Sequence, residues 1–251
     1  MEMPLGLGEW DLIAVAVVIG SFLGVLIKRL PENEPFVVQR SRCGECGAPL
    51  TIVDLVPLAS WFRTGGRCRH CGAWIGWFYP GVEVAALGIA VLSVAVDRGV
   101  AAWLDASLGW WLLVLAWIDW RRSVLPDVLT LPLIILGLAA AWRLVPGDLV
   151  DRLIGAGCGF VGLWAVAVIY RRARGREGLG FGDAKLFAAS GAWVGATGLP
   201  SVLAGAAIAG LVAAGALMLS GVRLNRHSAI PFGPFLAAAT WLVWLFGPLK
   251  F

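Results

Sequence analysis

Two aspartates stand where an apolar chain has little reason to keep them. Asp119 closes the run Trp110-Trp111-Leu112-Leu113-Val114-Leu115-Ala116-Trp117-Ile118, and Asp183 sits in Gly180-Phe181-Gly182-Asp183 at the opening of another. A carboxylate at or near a bilayer is costly and is usually retained for function. Two carboxylates that meet can share one proton, so that one accepts a proton from water while the other donates to a carbonyl oxygen. That is the chemistry of an aspartyl protease. No partnered Ser/His/Asp set competes with it, since His70 and His227 lie in basic loops and read as solvated.

The neighbours of the two acids admit plainer roles. Asp119 follows its helix and so opposes the helix dipole, and an ion pair to Arg121 or Arg122 would account for it without catalysis. Asp127, after Pro126, reads as a cap for the next helix. Gly180 and Gly182 permit a bent or unwound backbone around Asp183. Lys185 can pair with an acid or snorkel to headgroups.

A second chemistry is carried by Cys43-Gly44-Glu45-Cys46 and Cys68-Arg69-His70-Cys71. Two Cys-x-x-Cys pairs form the zinc-ribbon pattern, each supplying two thiolates from a tight turn. Gly44, Gly47, Gly66 and Gly72 suit those turns. Four thiolates leave no open position for water, so the zinc expected at Cys43, Cys46, Cys68 and Cys71 is structural. A redox pair or metal-free thiols is the alternative. His70 is expected at the surface, and Cys158, among Gly and Phe, reads as a small packing residue.

The elements that position these groups are membrane helices. Of 251 residues 59% are hydrophobic and 14% charged, against about 25% charged in a soluble domain. Eight apolar blocks can be read: Leu12–Ile27, Pro80–Val96, Ala101–Ile118, Leu129–Val145, Leu153–Tyr170, Ala184–Val194, Leu199–Ser220 and Ala229–Gly247. The sixth is short for a span of about 20 residues unless it starts at Gly182 and Asp183 or tilts. The first ends on Lys28 and Arg29 with no small-residue cleavage site, so it is a retained span rather than a signal peptide. The Ala/Gly-rich run Ala204–Gly215 reads as close helix packing.

Charge sets the orientation. Lys28, Arg29, Arg40, Arg42, Arg63, Arg67, Arg69, Arg121, Arg122, Arg171, Arg172, Arg174, Arg176, Arg223 and Arg226 fall in alternate connections. The intervening ones hold only Arg98, Arg143 and Arg152, with Lys250 at the end. This satisfies the positive-inside rule with both termini outside, and places Asp119 and Asp183 at one cytosolic boundary. The net charge of +4 is therefore topology rather than a nucleic-acid footprint. The expected architecture is an all-α polytopic membrane protein of about eight transmembrane helices. It divides into a first transmembrane helix (1–30), a cytosolic four-cysteine zinc module (31–78) and a seven-helix membrane core (79–251). A transporter or scaffold using the acids as proton or cation sites remains open, but leaves the cysteine module unexplained.

The ordered set of motifs then resembles the type IV prepilin peptidases, the GxGD membrane aspartyl proteases. It includes Gly20-Ser21-Phe22-Leu23 with Arg29-Leu30-Pro31, both cysteine pairs with Pro57-Leu58-Ala59-Ser60-Trp61 between them, and Tyr79-Pro80 with Glu83. It continues through Ile118-Asp119, Leu125-Pro126-Asp127, Leu129-Thr130-Leu131-Pro132, Gly180-Phe181-Gly182-Asp183-Ala184-Lys185-Leu186 and Pro231-Phe232-Gly233-Pro234-Phe235. The resemblance implies cleavage of the basic leaders of type IV prepilins and type II secretion pseudopilins at the cytosolic face of the bacterial inner membrane. It implies that Asp119 and Asp183 are the catalytic pair, with Gly180, Gly182 and Lys185 in support. It further implies methylation of the new N-terminus with S-adenosylmethionine, although no glycine-rich cofactor loop can be read between a strand and a helix. Where most members carry Asn after Gly-Ser-Phe-Leu, this chain has Gly24.

Overall fold

Long apolar runs punctuated by basic turns fold as helices, because a helix satisfies its own backbone groups where no water can. The computed structural model describes residues 7–32, 34–35, 41–175, 179–221 and 230–249. Regular structure among them is helical apart from two isolated bridges, and the order is α1 (Leu7–Arg29), α2 (Ala59–Thr64), α3 (Phe78–Val96), α4 (Val100–Arg122), α5 (Asp127–Leu144), α6 (Leu149–Arg174), α7 (Phe181–Leu219) and α8 (Gly233–Phe246). Six of these, α1 and α3 to α7, are long and apolar enough to cross a membrane. The protein is a multi-pass membrane protein. Arg40, Arg176, Arg223, Arg226, His227, Ala229 and Lys250, which entered the charge and block pattern, lie outside the described residues.

The chain forms two units, Met1–Trp110 and Trp111–Phe251. In the first, α1 packs on α3 at Gly20, where a Cβ would lie 2.8 Å from the Glu83 Cα. The Trp110 indole donates to the Ala86 carbonyl at 2.9 Å, satisfying a buried N–H.

In the second unit α7 packs against α5, α6 and α8. Its 39 residues are broken at Gly195 (φ 76, ψ 173), a conformation open essentially to glycine alone. The sixth and seventh apolar blocks are the two halves, and the first half does begin early enough to include Gly182 and Asp183. With the two halves of α7 and the shorter α8, the eight expected segments are accounted for.

A helix break leaves carbonyls on one side and N–H groups on the other without partners. Here α6 supplies both signs. The Arg152 guanidinium donates to the Trp193 carbonyl and lies 5.2 Å from the Trp244 ring centroid. Asp151 faces Gly195 so closely that a Cβ there would run into its carboxylate, and it accepts from the Thr197 hydroxyl at 3.5 Å. Arg152 is thus a helix-break cap, not a surface charge in a loop.

The closest helix packing is also elsewhere than the sequence suggests. Gly155 and Gly159 on α6 meet Gly191 and Phe187 on α7, and a Cβ on Gly191 would overlap the Gly155 backbone. In the Ala204–Gly215 run only the first part packs inward, with Ala206 buried, while Leu211 and Val212 are exposed. Cys158, expected to pack, is exposed too. Gly191→Leu is expected to destabilise the fold by about 3 kcal/mol, read as a lower unfolding midpoint in detergent. An unchanged midpoint would show that the crossing can open without cost.

Candidate active site and four-cysteine centre

The helical face that buries Leu112, Leu115 and Ile118 carries Asp119 inward with them, to 6% exposure. Asp119 lies in the last turn of α4, which ends as Ser123 turns left-handed (φ 52) and its N–H closes on the Asp119 carbonyl at 2.7 Å. Its carboxylate Oδ2 accepts the Gly233 N–H at 3.0 Å. Gly233 opens α8, so the acid that opposes its own helix dipole is compensated by the positive end of another helix. A Cβ on Gly233 would lie 2.5 Å from that same oxygen. Gly233→Ala is therefore expected to push the Asp119 carboxylate aside and to cut peptide cleavage by about 100-fold while protein levels in membranes stay unchanged. Retained cleavage would show that Asp119 does not need this seat.

Asp183 is the third residue of α7, after the extended Gly180, and its Oδ2 accepts the Gly180 N–H at 3.1 Å. It is 8% exposed. The sequence reading allowed an unwound backbone here, whereas the helix begins at Phe181 and Gly182 serves close approach. A Cβ at Gly182 would lie 2.9 Å from the Leu125 Cβ, so its absence lets the first turn of α7 rest on the turn that follows Asp119. Lys185 completes the join by donating to Asp127 Oδ1 at 2.5 Å, and its ammonium sits 4.7 Å from the Phe181 ring centroid. Asp127 is the first residue of α5 rather than its cap, which is Pro126. These contacts set the first turn of α7, which carries Asp183, against the turn that follows Asp119. Each is anchored through one oxygen by a backbone N–H at a helix start.

The cysteine pairs form two copies of one local fold. Gly47 N–H bonds to the Cys43 carbonyl and Cys43 N–H to the Ala48 carbonyl, each at 2.9 Å. Gly72, Cys68 and Ala73 repeat the pattern at the same distances, with Gly47 and Gly72 at φ 69 and 71. Gly66 is left-handed as well, while Gly44 is not and has no such role. The four sulfurs lie within 4.8 Å of one another, and Cys43 Sγ is 3.9 Å from Cys71 Sγ. A tetrahedral zinc with bonds of about 2.3 Å needs sulfurs about 3.8 Å apart, so the residues fit a metal. His70 is exposed and outside the cluster. Asp54 ties the segment between the pairs to the second knuckle. It accepts from the Thr51 hydroxyl at 2.6 Å, the Thr51 N–H at 2.9 Å and Arg69 Nε at 2.8 Å, and these donors hold its carboxyl well below the usual range.

Comparison with known proteins addresses the same two regions. Residues 14–97 match the bacterial peptidase A24 N-terminal domain, and residues 106–215 match the type IV leader peptidase family. The chain is 36% identical over 276 residues to a prepilin leader peptidase/N-methyltransferase of Dichelobacter nodosus, covering 98% of this chain and 94% of the relative. The protein of the same name in Aeromonas hydrophila is 41% identical over 92% of this chain and 88% of its own length. That of Pseudomonas aeruginosa is 37% identical over 94% and 89%. The chain belongs to the type IV leader peptidase family. No solved structure matches it.

Within the family's motifs, several residues acquire roles that the sequence did not assign. Gly233 seats Asp119, although nothing in Phe-Gly-Pro points to a partner 114 residues away. Glu83, 5% exposed in α3, and Asp105, 3% exposed in α4, are two further buried acids in membrane helices. An acid within an apolar helix was the available signal for both.

Proposed function

We propose that this chain is an inner-membrane aspartyl endopeptidase that removes the basic leader of type IV prepilins and type II secretion pseudopilins at the cytosolic face. We further propose that it methylates the N-terminus so released. The observation that carries the reading is the pair Asp119 and Asp183, both buried and each anchored by a backbone N–H at a helix start, with the start of α7 resting on the turn that follows Asp119.

Two carboxylates that meet over a substrate share a proton, since both cannot readily ionise together. The ionised member takes a proton from water as the water oxygen attacks the scissile carbonyl carbon, and the protonated member donates to the carbonyl oxygen. Collapse of the tetrahedral species breaks the C–N bond, and the leaving amine takes a proton from the dyad. The protons belong to the pair rather than to one named member. Lys185, Gly180 and Gly182 hold the first turn of α7 in register with Asp119.

The cysteine centre is a structural zinc site with no vacancy for a reacting water, and it takes no part in hydrolysis. In methyl transfer, S-adenosylmethionine supplies an electrophilic methyl group. On this reading the first span (1–30), the zinc module (31–78) and the seven-helix core (79–251) carry anchoring, methylation and cleavage. Incubating the purified protein with a prepilin in lipid tests it. A shortened product bearing an added methyl group is expected, and intact prepilin would refute the peptidase reading in favour of a transporter or scaffold.

A further inference from the structure

Two hydroxyls lie deep in the second unit, and the cleavage chemistry uses neither. Ser190, in the first half of α7 (181–194), and Thr240, in α8, are each 1% exposed, and their oxygens are 2.6 Å apart. Ser190 Oγ is also 3.0 Å from the Leu186 carbonyl, and Thr240 Oγ1 is 2.7 Å from the Leu236 carbonyl. Three contacts thus compete for two protons, since each hydroxyl carries one. Were both protons turned to the carbonyls, two bare oxygens would face each other at hydrogen-bond distance. One proton must therefore lie between the helices, while the accepting hydroxyl donates its own to the carbonyl four residues back.

Helix geometry decides what this bond joins. Ser190 follows Asp183 by seven residues, and Thr240 follows Gly233 by seven. At about 100° and 1.5 Å per residue, seven residues return a helix to nearly the same face about 10.5 Å further on. The face of α7 that carries Asp183 therefore carries Ser190 two turns later. The face of α8 that Gly233 turns to Asp119, where a Cβ would lie 2.5 Å from Oδ2, likewise carries Thr240. The two arms are equal in length and run in the same direction, as Trp193 and Trp244 show by meeting just beyond the hydroxyls at 5.2 Å between ring centroids. Asp183 and the N–H that seats Asp119 stand at one end of this frame, and the hydroxyl pair stands at the other.

The pair sets position more than it adds stability. Sliding α8 would return each hydroxyl to its own carbonyl and lose only the bond between helices, and such bonds contribute modestly in membranes. The spacing is another matter. Only a hydrogen bond permits 2.6 Å, whereas non-bonded heavy atoms keep to about 3.5 Å or more, so a methyl in place of either hydroxyl proton would part the helices by about 1 Å. A displacement of that size at reacting groups can cost about 100-fold in rate.

We infer that Ser190 and Thr240 are positioning residues for peptide cleavage, whose hydrogen bond holds α8 in register with the first half of α7 and so sets the seat of Asp119 relative to Asp183. The inference rests on the peptidase half of the proposed function.

The test measures steady-state prepilin cleavage and the unfolding midpoint on the full-length, zinc-loaded protein in lipid. Thr240→Val, which keeps the side-chain shape, should lower kcat about tenfold with KM changed by less than about twofold and the midpoint nearly unmoved. Thr240→Ser, which keeps the hydroxyl, should retain kcat within about twofold. Adding Ser190→Ala to Thr240→Val should lower kcat no further, because the two residues act through one bond. Multiplying losses, an equal loss in Thr240→Ser, or a lower midpoint with kcat unchanged would each reduce the pair to a packing contact and overturn the inference. If Thr240→Val does not accumulate, Ser190→Ala, which only removes an atom, is measured alone and must lower kcat at constant KM. A wild type that cleaves while these variants keep its kcat removes the positioning role, whereas a wild type that does not cleave removes the peptidase reading itself.

Discussion

Asp119→Asn and Asp183→Asn should each lower leader cleavage by about 1,000-fold or more while leaving the amount of protein in the membrane unchanged. An amide has nearly the shape of the carboxylate and can still accept the backbone N–H from Gly233 or Gly180, so the helix starts keep their partners. What it loses is the ability to take up and return a proton. Prepilin processing in membranes measures the effect, and full cleavage by either variant would sink the dyad. Asp127→Asn serves as the comparison. Its carboxylate is 57% exposed and pairs with Lys185, an arrangement that contributes little in water, so a loss of less than about tenfold is expected. A loss equal to that of Asp119→Asn would move the first catalytic role to Asp127.

The second large effect concerns the metal. Cys43→Ser and Cys68→Ser are each expected to cost more zinc affinity than the roughly 100-fold that loss of an outer partner costs. Few apolar side chains of the module are buried, and its two knuckles are joined at the four sulfurs, so metal binding and folding of the module are one process. Metal content per chain and the mass of the processed substrate's N-terminus measure the outcome. Zinc should disappear, and with it the methyl group, since the proposed function assigns methylation to the module. Full zinc content in both variants would show that these thiolates are not ligands.

How much of this was legible in the sequence depended on the separation between partners. The cysteine knuckles were readable because the ligands and turn glycines lie within a few residues of one another. Asp183 was readable as the acid opening an apolar run, and its bond to Gly180 spans three residues. The seat of Asp119 on Gly233 and the bond from Leu58 to Glu83 were not readable, because each joins elements that only packing brings together. The break at Gly195 falls where the sequence separates its sixth and seventh apolar blocks, but the manner of its capping was hidden. Arg152, which caps it, was counted by its charge as part of a loop. Gly182 was read as freedom and proved to be proximity, since glycine's composition signal is the same for both.

The capped break in α7 also sets how this chain can tolerate changes in length. An α-helix turns by about 100° per residue, so one residue added between Asp183 and Gly195 would swing the acid away from Asp119 or drag the packed face of the half-helix out of its seat. One residue added beyond Gly195 leaves Asp183 in its seat, because the break does not transmit helical phase, and is felt instead where Leu199, Val202 and Ala206 pack. The chain thus has a phase-locked ruler from Gly195 back to Asp183, and a second half whose register is set separately.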